Sequence, residues 1–160
     1  MQFRRLLWLL VAIVTCQAAQ AILPKPTHPV TDRAGILSVD EIAGLTKELE
    51  KLDKAGLARA LIDIEPALPP GAVLEELTLR SANAWDVRHK DVNDGLVIFL
   101  FMADHKIRIE LGRGLEAAIS DAQAKSIVDD HMAPAFRQGK YAEGLTQAIH
   151  DIGKLLRSHR

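Results

Sequence analysis

Between residues 91 and 121 the chain reads DVNDGLVIFLFMADHKIRIELGRGLEAAISD, and its polar side chains stand at the ends of apolar runs rather than inside them. Asn93 and Asp94 precede Gly95, Glu116 follows two glycines, and Asp121 opens a helix signal. Far upstream, Asp32 stands just ahead of another helix signal. Carboxylate and amide oxygens are ligands for a hard cation, Ca²⁺ or Mg²⁺, rather than for zinc. Arg108, on an alternating run, and Arg113, between Gly112 and Gly114, suit the support of a carboxylate or contact with an anion such as phosphate. Each residue has a plainer use as well. Asn-Asp-Gly makes a turn, and an acid at position 121 favours a helix dipole. Arg108 and Glu110 can pair along one strand face. Only convergence in space would turn these residues into a site.

Other chemistries find no pattern. The six histidines show no metal-ligand spacing, and there is no H-E-x-x-H, P-loop or G-x-S-x-G. Gly-Arg-Gly lacks the rest of a dinucleotide fingerprint. His131, beside Asp129 and Asp130 on an apolar helical face, reads as a core-edge histidine, and the other histidines read as surface.

The elements that must position these residues follow an export signal. Arg4 and Arg5 form a basic start, residues 6–14 an apolar stretch, and Ala19-Gln20-Ala21 a small-residue cleavage site. The expected signal peptide is 1–21, with cleavage at about Ala21 and a periplasmic or secreted product. Cys16 follows Thr15, a poor fit to a lipoprotein signal. It is the only cysteine, so the mature chain has no disulfide and no thiolate. Removing 21 of 160 residues leaves 139, with 18 basic and 21 acidic side chains, a net of −3. That length suits one domain, and that charge argues against nucleic acid as a partner. No later run is long and apolar enough for a transmembrane helix.

Residues 22–29 hold three prolines and read as an extended lead-in. Residues 30–37 then turn into a helix, signalled by a Ser38/Glu41 capping box and a Leu37/Ile42 staple. Ile42, Leu45, Leu49 and Leu52 form its core face. Residues 58–65 alternate as a strand, and residues 72–85 form a helix ending at Trp85. Residues 96–102 are apolar on both faces, the pattern of a strand covered on both sides. Residues 106–111 follow too closely for a crossover, so the two runs form an antiparallel hairpin. Ser120 and Gln123 cap another helix, which Pro134 interrupts, and residues 141–156 make the last one. The expected fold is α/β, a three-layer α/β/α sandwich whose small mixed sheet contains a central β-hairpin.

VTDRAGIL, a tryptophan-ended helix, and VNDGLVIFLFMADHKIRIELGRGLEAAISDAQA together resemble the TPM domain family, over residues 30–157. That family includes exported bacterial proteins and thylakoid-lumen proteins linked to photosystem II repair. The resemblance implies an α/β/α domain outside the cytoplasm and either calcium binding or acid-phosphatase activity. Carried over by motif, Asp32, Asn93, Asp94, Glu116 and Asp121 would form an acidic pocket, with Arg108 as support or anion contact. Family members often carry glycines after the helix-end tryptophan. Here the loop reads Trp85-Asp86-Val87-Arg88, which puts its ligand contacts in question. Three functions follow. The first is an exported domain that binds a divalent cation in an accessory envelope role. The second is a metal-dependent acid phosphatase. The third is a non-catalytic partner for assembly or repair of an envelope membrane complex.

Overall fold

The computed structural model describes residues 21–159. The expected signal peptide, apart from Ala21, lies outside the described residues. Strands β1 (Val30–Asp32), β2 (Arg59–Glu65), β3 (Gly95–Phe101) and β4 (Lys106–Leu111) form one mixed sheet in the order β1-β2-β3-β4. β1, β2 and β3 are parallel, and β4 returns antiparallel to β3. The helices are α1 (Val39–Lys54), α2 (Leu74–Trp85), α3 (Asp121–Ile127), α4 (Ala133–Arg137) and α5 (Tyr141–Ser158).

β3 explains the layering. All seven of its residues are buried, and alternate side chains enter different cores. Leu96, Ile98 and Leu100 join Leu45, Leu49 and Leu52 of α1 and Leu145, Ile149 and Ile152 of α5. Val97, Phe99 and Phe101 join Leu77 and Trp85 of α2. A strand with two apolar faces thus forces helices onto both sides of the sheet. Because the parallel strands advance in one direction while α1 and α2 lie on opposite faces, the two crossovers have opposite hands. One of them is of the rare left-handed kind.

The smaller core also fixes the lead-in. Trp85 Nε1 donates to the Leu23 carbonyl at 3.0 Å, and Leu23 N–H donates to Ser81 Oγ at 3.0 Å. The Trp85 and Phe99 ring centroids are 5.3 Å apart. Both expected capping boxes are present, at Ser38/Glu41 and Ser120/Gln123.

Three expectations change. Residues 30–32 form a strand rather than only an approach to a helix. Three residues are too few to show alternation, and the strand is defined by its pairing, Val30 opposite Ile62 and Asp32 opposite Ile64. The hairpin contributes one interior strand, β3, and one edge strand, β4. His131 is exposed rather than at the core edge, with Nε2 3.3 Å from Asp151 Oδ2. Residues 128–132 are π-helical, and the Ala133 N–H donates to the Val128 carbonyl five residues back. That wider turn rotates the side chains away from the 3.6-residue period on which the expectation rested.

Candidate functional site

The loop that carries Asn93 and Asp94 packs backbone to backbone against the glycine hinge. A Cβ on Gly95 would stand 1.5 Å from the Val87 carbonyl oxygen. On Gly112 it would stand 2.2 Å from the Asn93 oxygen, and on Gly114 2.4 Å from the Val92 oxygen. No side chain fits at any of the three positions. The Gly112 N–H donates to Gly95 O at 2.7 Å and the Gly114 N–H to Asn93 O at 3.0 Å, locking the two segments together. Asp86, Asp91 and Asn93 all adopt positive φ, which Asp and Asn tolerate better than other side chains.

This packing frames a cavity of about 510 Å³ between α2, the 86–94 loop and the hinge. Asn93, Arg113 and Glu116 line it, three of the residues singled out in the sequence. Asp86, Arg88 and Glu110 line it too. The Arg88 guanidinium lies between two oxygens: Nε donates to Asp86 Oδ1 at 2.5 Å and Nη1 to Asn93 Oδ1 at 2.5 Å. Among the described residues, neither Arg113 nor Glu116 has an ion-pair partner.

The remaining sequence candidates do not converge there. Asp32 is at the far end of the sheet. It is level with Ile64 and Leu100, whereas Gly95 is level with Arg59. Five residues of strand separate those rows, roughly 17 Å. The Asp32 carboxylate is already occupied, accepting from the N–H groups of Ala34 at 3.1 Å, Gly35 at 2.8 Å and Leu37 at 2.8 Å. It shapes the turn into α1. Asp121 is exposed at the start of α3 and lies outside the cavity lining. Arg108 Nε donates to Glu110 Oε1 at 2.9 Å, and Thr78 Oγ1 donates to the same oxygen at 2.7 Å. The Glu110 bond raises the Arg108 pKa, with Glu75 and Asp121 adding attraction at longer range. Arg108 therefore supports Glu110, a buried residue of the cavity lining.

Asp94 points away from the cavity. It is buried, accepts from the His89 N–H at 2.8 Å, and lies 2.7 Å from His89 Nδ1. His89 Nε2 in turn lies 2.7 Å from Asp53 Oδ1 at the end of α1. Burial pushes the Asp94 carboxyl up, but the His89 ring and backbone N–H outweigh it and hold the pKa below the ordinary value. His89 is raised, first by Asp94 and then by Asp53. The result is a clamp that ties the cavity-forming loop to α1. Nothing in the local sequence links His89 to Asp53, 36 residues away, so the clamp is legible only in three dimensions.

Among the described residues no three His, Cys, Asp or Glu side chains gather as a metal-holding group. The five-residue acidic pocket expected from the sequence is therefore not assembled. Asp32 is committed to its turn, Asp94 to its clamp and Asp121 to a helix start. Asn83, Asp86, Asn93, Glu110 and Glu116 bring side-chain oxygens to the cavity lining. Glu110 is taken up by Arg108 and Thr78, while Asp86 and Asn93 converge on the Arg88 guanidinium.

A family model described as the TPM domain matches residues 30–155. Among solved structures, the N-terminal domain of a protein from P. gingivalis is 32% identical, with a TM-score of 0.74 over 83% of this chain and 84% of its own. The BA42 protein of the psychrophilic bacterium Bizionia argentinensis is 16% identical, with a TM-score of 0.63 over 77% of this chain and 83% of its own. The N-terminal domain of the cg2496 protein from Corynebacterium glutamicum is 15% identical, with a TM-score of 0.63 over 85% and 87%. The last two likenesses concern the fold alone. Among curated proteins none matches. No helix among the described residues is long and apolar enough to cross a membrane.

Proposed function

Because the chain belongs to the TPM domain family, we propose that it is an exported binding domain of the cell envelope, holding a divalent cation at the mouth of this cavity. The oxygens of Asp86, Asn93 and Glu116 are the ligands this reading assigns, and Ca²⁺ or Mg²⁺ is the ion their hardness suits. The observation that carries it is the guanidinium of Arg88, held 2.5 Å from oxygens of both Asp86 and Asn93. Two oxygen donors from different residues already converge on a cation, one supplied by the chain itself. They fall short of the six to eight oxygens that Ca²⁺ takes. Binding therefore recruits water and requires Arg88 to swing out. Export rests on the basic, apolar and small-residue order of residues 1–21. The same reading gives the domain an accessory role beside a membrane-protein partner of the envelope. Titration of the chain with Ca²⁺, with and without Arg88, tests the reading.

A second reading is favoured by Arg113, which lines the same cavity without an ion-pair partner among the described residues. A phosphomonoester whose phosphate meets Arg113 beside a Glu116-bound cation would make the site that of an acid phosphatase. Hydrolysis of an aryl phosphate that falls with both Arg113→Ala and Glu116→Ala supports this reading. Hydrolysis that both variants retain contradicts it.

A further inference from the structure

A second cavity, also about 510 Å³, opens at the other end of the sheet. It lies between the β3–β4 hairpin and the corner where α4 meets α5. Leu100, Met102, Ile107, Ala133 and Phe136 supply apolar walls, and His105, Lys106 and Arg137 border it. No aspartate or glutamate among the described residues lines it. Among the described residues, none of those three basic side chains has an ion-pair partner. Elsewhere, several exposed lysines are paired among the described residues, as Lys125 is with Asp129 and Lys154 with Asp151, while Lys25, Lys47 and Lys90 are not. In a chain with 21 acidic residues against 20 Lys and Arg, a cavity lined by bases and no acid is a local departure from the average surface.

The walls are fixed by backbone features. Pro134 has no N–H to continue an α-helix, and the π-helical stretch 128–132 just before it turns the chain into the short α4. π-Bulges of this kind recur at functional sites. Gly144 lets the Phe136 ring lie against α5, since a Cβ there would stand 2.9 Å from Phe136 Cε1. The Tyr141 ring centroid, 5.2 Å from that of Phe136, completes the aromatic corner. The cavity also sits at the carboxyl end of the parallel strand β3, where open α/β sheets present their ligands.

We propose that this cavity binds a single-chain fatty carboxylate, with its tail along Met102, Ala133 and Phe136 and its head at the basic border. Mostly apolar walls with a basic border, at this volume, match a small-molecule site. The absence of acids selects an anionic head over a neutral or cationic one. The volume suits one acyl chain rather than a diacyl lipid.

Titration of the chain with dodecanoate, read by calorimetry and amide NMR, tests this. The expected result is saturable one-to-one binding, with resonance shifts at Met102, Ala133 and Phe136. Dodecanol and acetate, lacking the charge and the tail respectively, bind at least tenfold more weakly. Arg137→Glu, on an exposed position, weakens dodecanoate at least tenfold and leaves the amide spectrum otherwise folded. Ala133→Trp, which fills the cavity, abolishes binding. The proposal is overturned by no saturable binding, by dodecanol binding as tightly as dodecanoate, or by binding unaffected by both variants. Attachment to anionic diacyl vesicles without free dodecanoate binding also overturns it, replacing it with a membrane-surface contact.

Discussion

His89 Nδ1 lies 2.7 Å from the buried Asp94 carboxylate, while the opposite ring nitrogen lies 2.7 Å from Asp53. A neutral imidazole donates from one nitrogen only, so satisfying both carboxylates requires the charged form. This pair therefore sets the protonation state of the loop that shapes the cavity.

The first prediction concerns pH. His89 is raised above its ordinary value of 6.5, so the folded state holds its proton more tightly than the unfolded chain. The clamp's contribution is complete below pH 6.5 and is lost as pH rises through the raised value. NMR titration of the imidazole should give a pKa above 6.5. Amide exchange in residues 86–94 should accelerate as the ring deprotonates. In His89→Gln the exchange should be fast throughout and show no step in that window.

Asp63 predicts a second, separate pH effect. Its side chain is fully buried, Oδ1 is 2.5 Å from Arg33 Nη1, and among the described residues Oδ2 has no hydrogen-bond partner. Burial raises the carboxyl to about 7, outweighing the attraction of Arg33, and Glu65 adds repulsion. The folded state then binds more protons than the unfolded chain between the ordinary 3.8 and about 7. Over that window stability falls as pH rises, by roughly 1.4 kcal/mol per pH unit at most. Urea midpoints at several pH values should show this decline in the wild type. In Asp63→Asn, which can still accept from Arg33, the decline should be reduced; an identical slope would mean that Asp63 is ionised throughout.

Gly95 predicts a steric effect. A methyl group there would overlap the Val87 carbonyl, and backbone cannot yield as a flexible side chain can. Gly95→Ala should lower stability by about 3 kcal/mol, the upper end for overpacking, as read from urea denaturation. It should also displace residues 87–93, visible as amide shifts along the loop. A variant with wild-type stability and spectrum would mean that the loop and hinge do not touch as described.

Much of the fold was legible in the sequence, because local rules agreed with the global result. The apolar run at 96–101 needed cover on both faces, and the Ser38 and Ser120 capping boxes marked true helix starts. β1 was not legible, since three residues carry no period and its identity comes from pairing with β2. The π turn was not legible either, which is why His131 was placed on the wrong side. The site was legible at its edges only. Sequence brought out Asn93, Arg113 and Glu116, which share a cavity, because they flank glycines that close backbone approach requires. It also brought out Asp32 and Asp94, whose oxygens serve turn and clamp. An acid at a strand end looks the same in sequence whether it faces a ligand or its own backbone. Arg88 was missed as a site residue because its role depends on Asp86 and Asn93 meeting around it.

The most direct test of the cation-binding account is calorimetric titration of the chain with Ca²⁺, in the wild type and in Arg88→Ala. Removing the guanidinium frees the Asp86 and Asn93 oxygens and deletes a competing charge. Ca²⁺ should bind weakly to the wild type, at least tenfold more tightly to Arg88→Ala, and not measurably to Arg88→Ala combined with Asn93→Ala and Glu116→Ala. No binding in either of the first two proteins, or binding that survives loss of Asn93 and Glu116, would contradict the account.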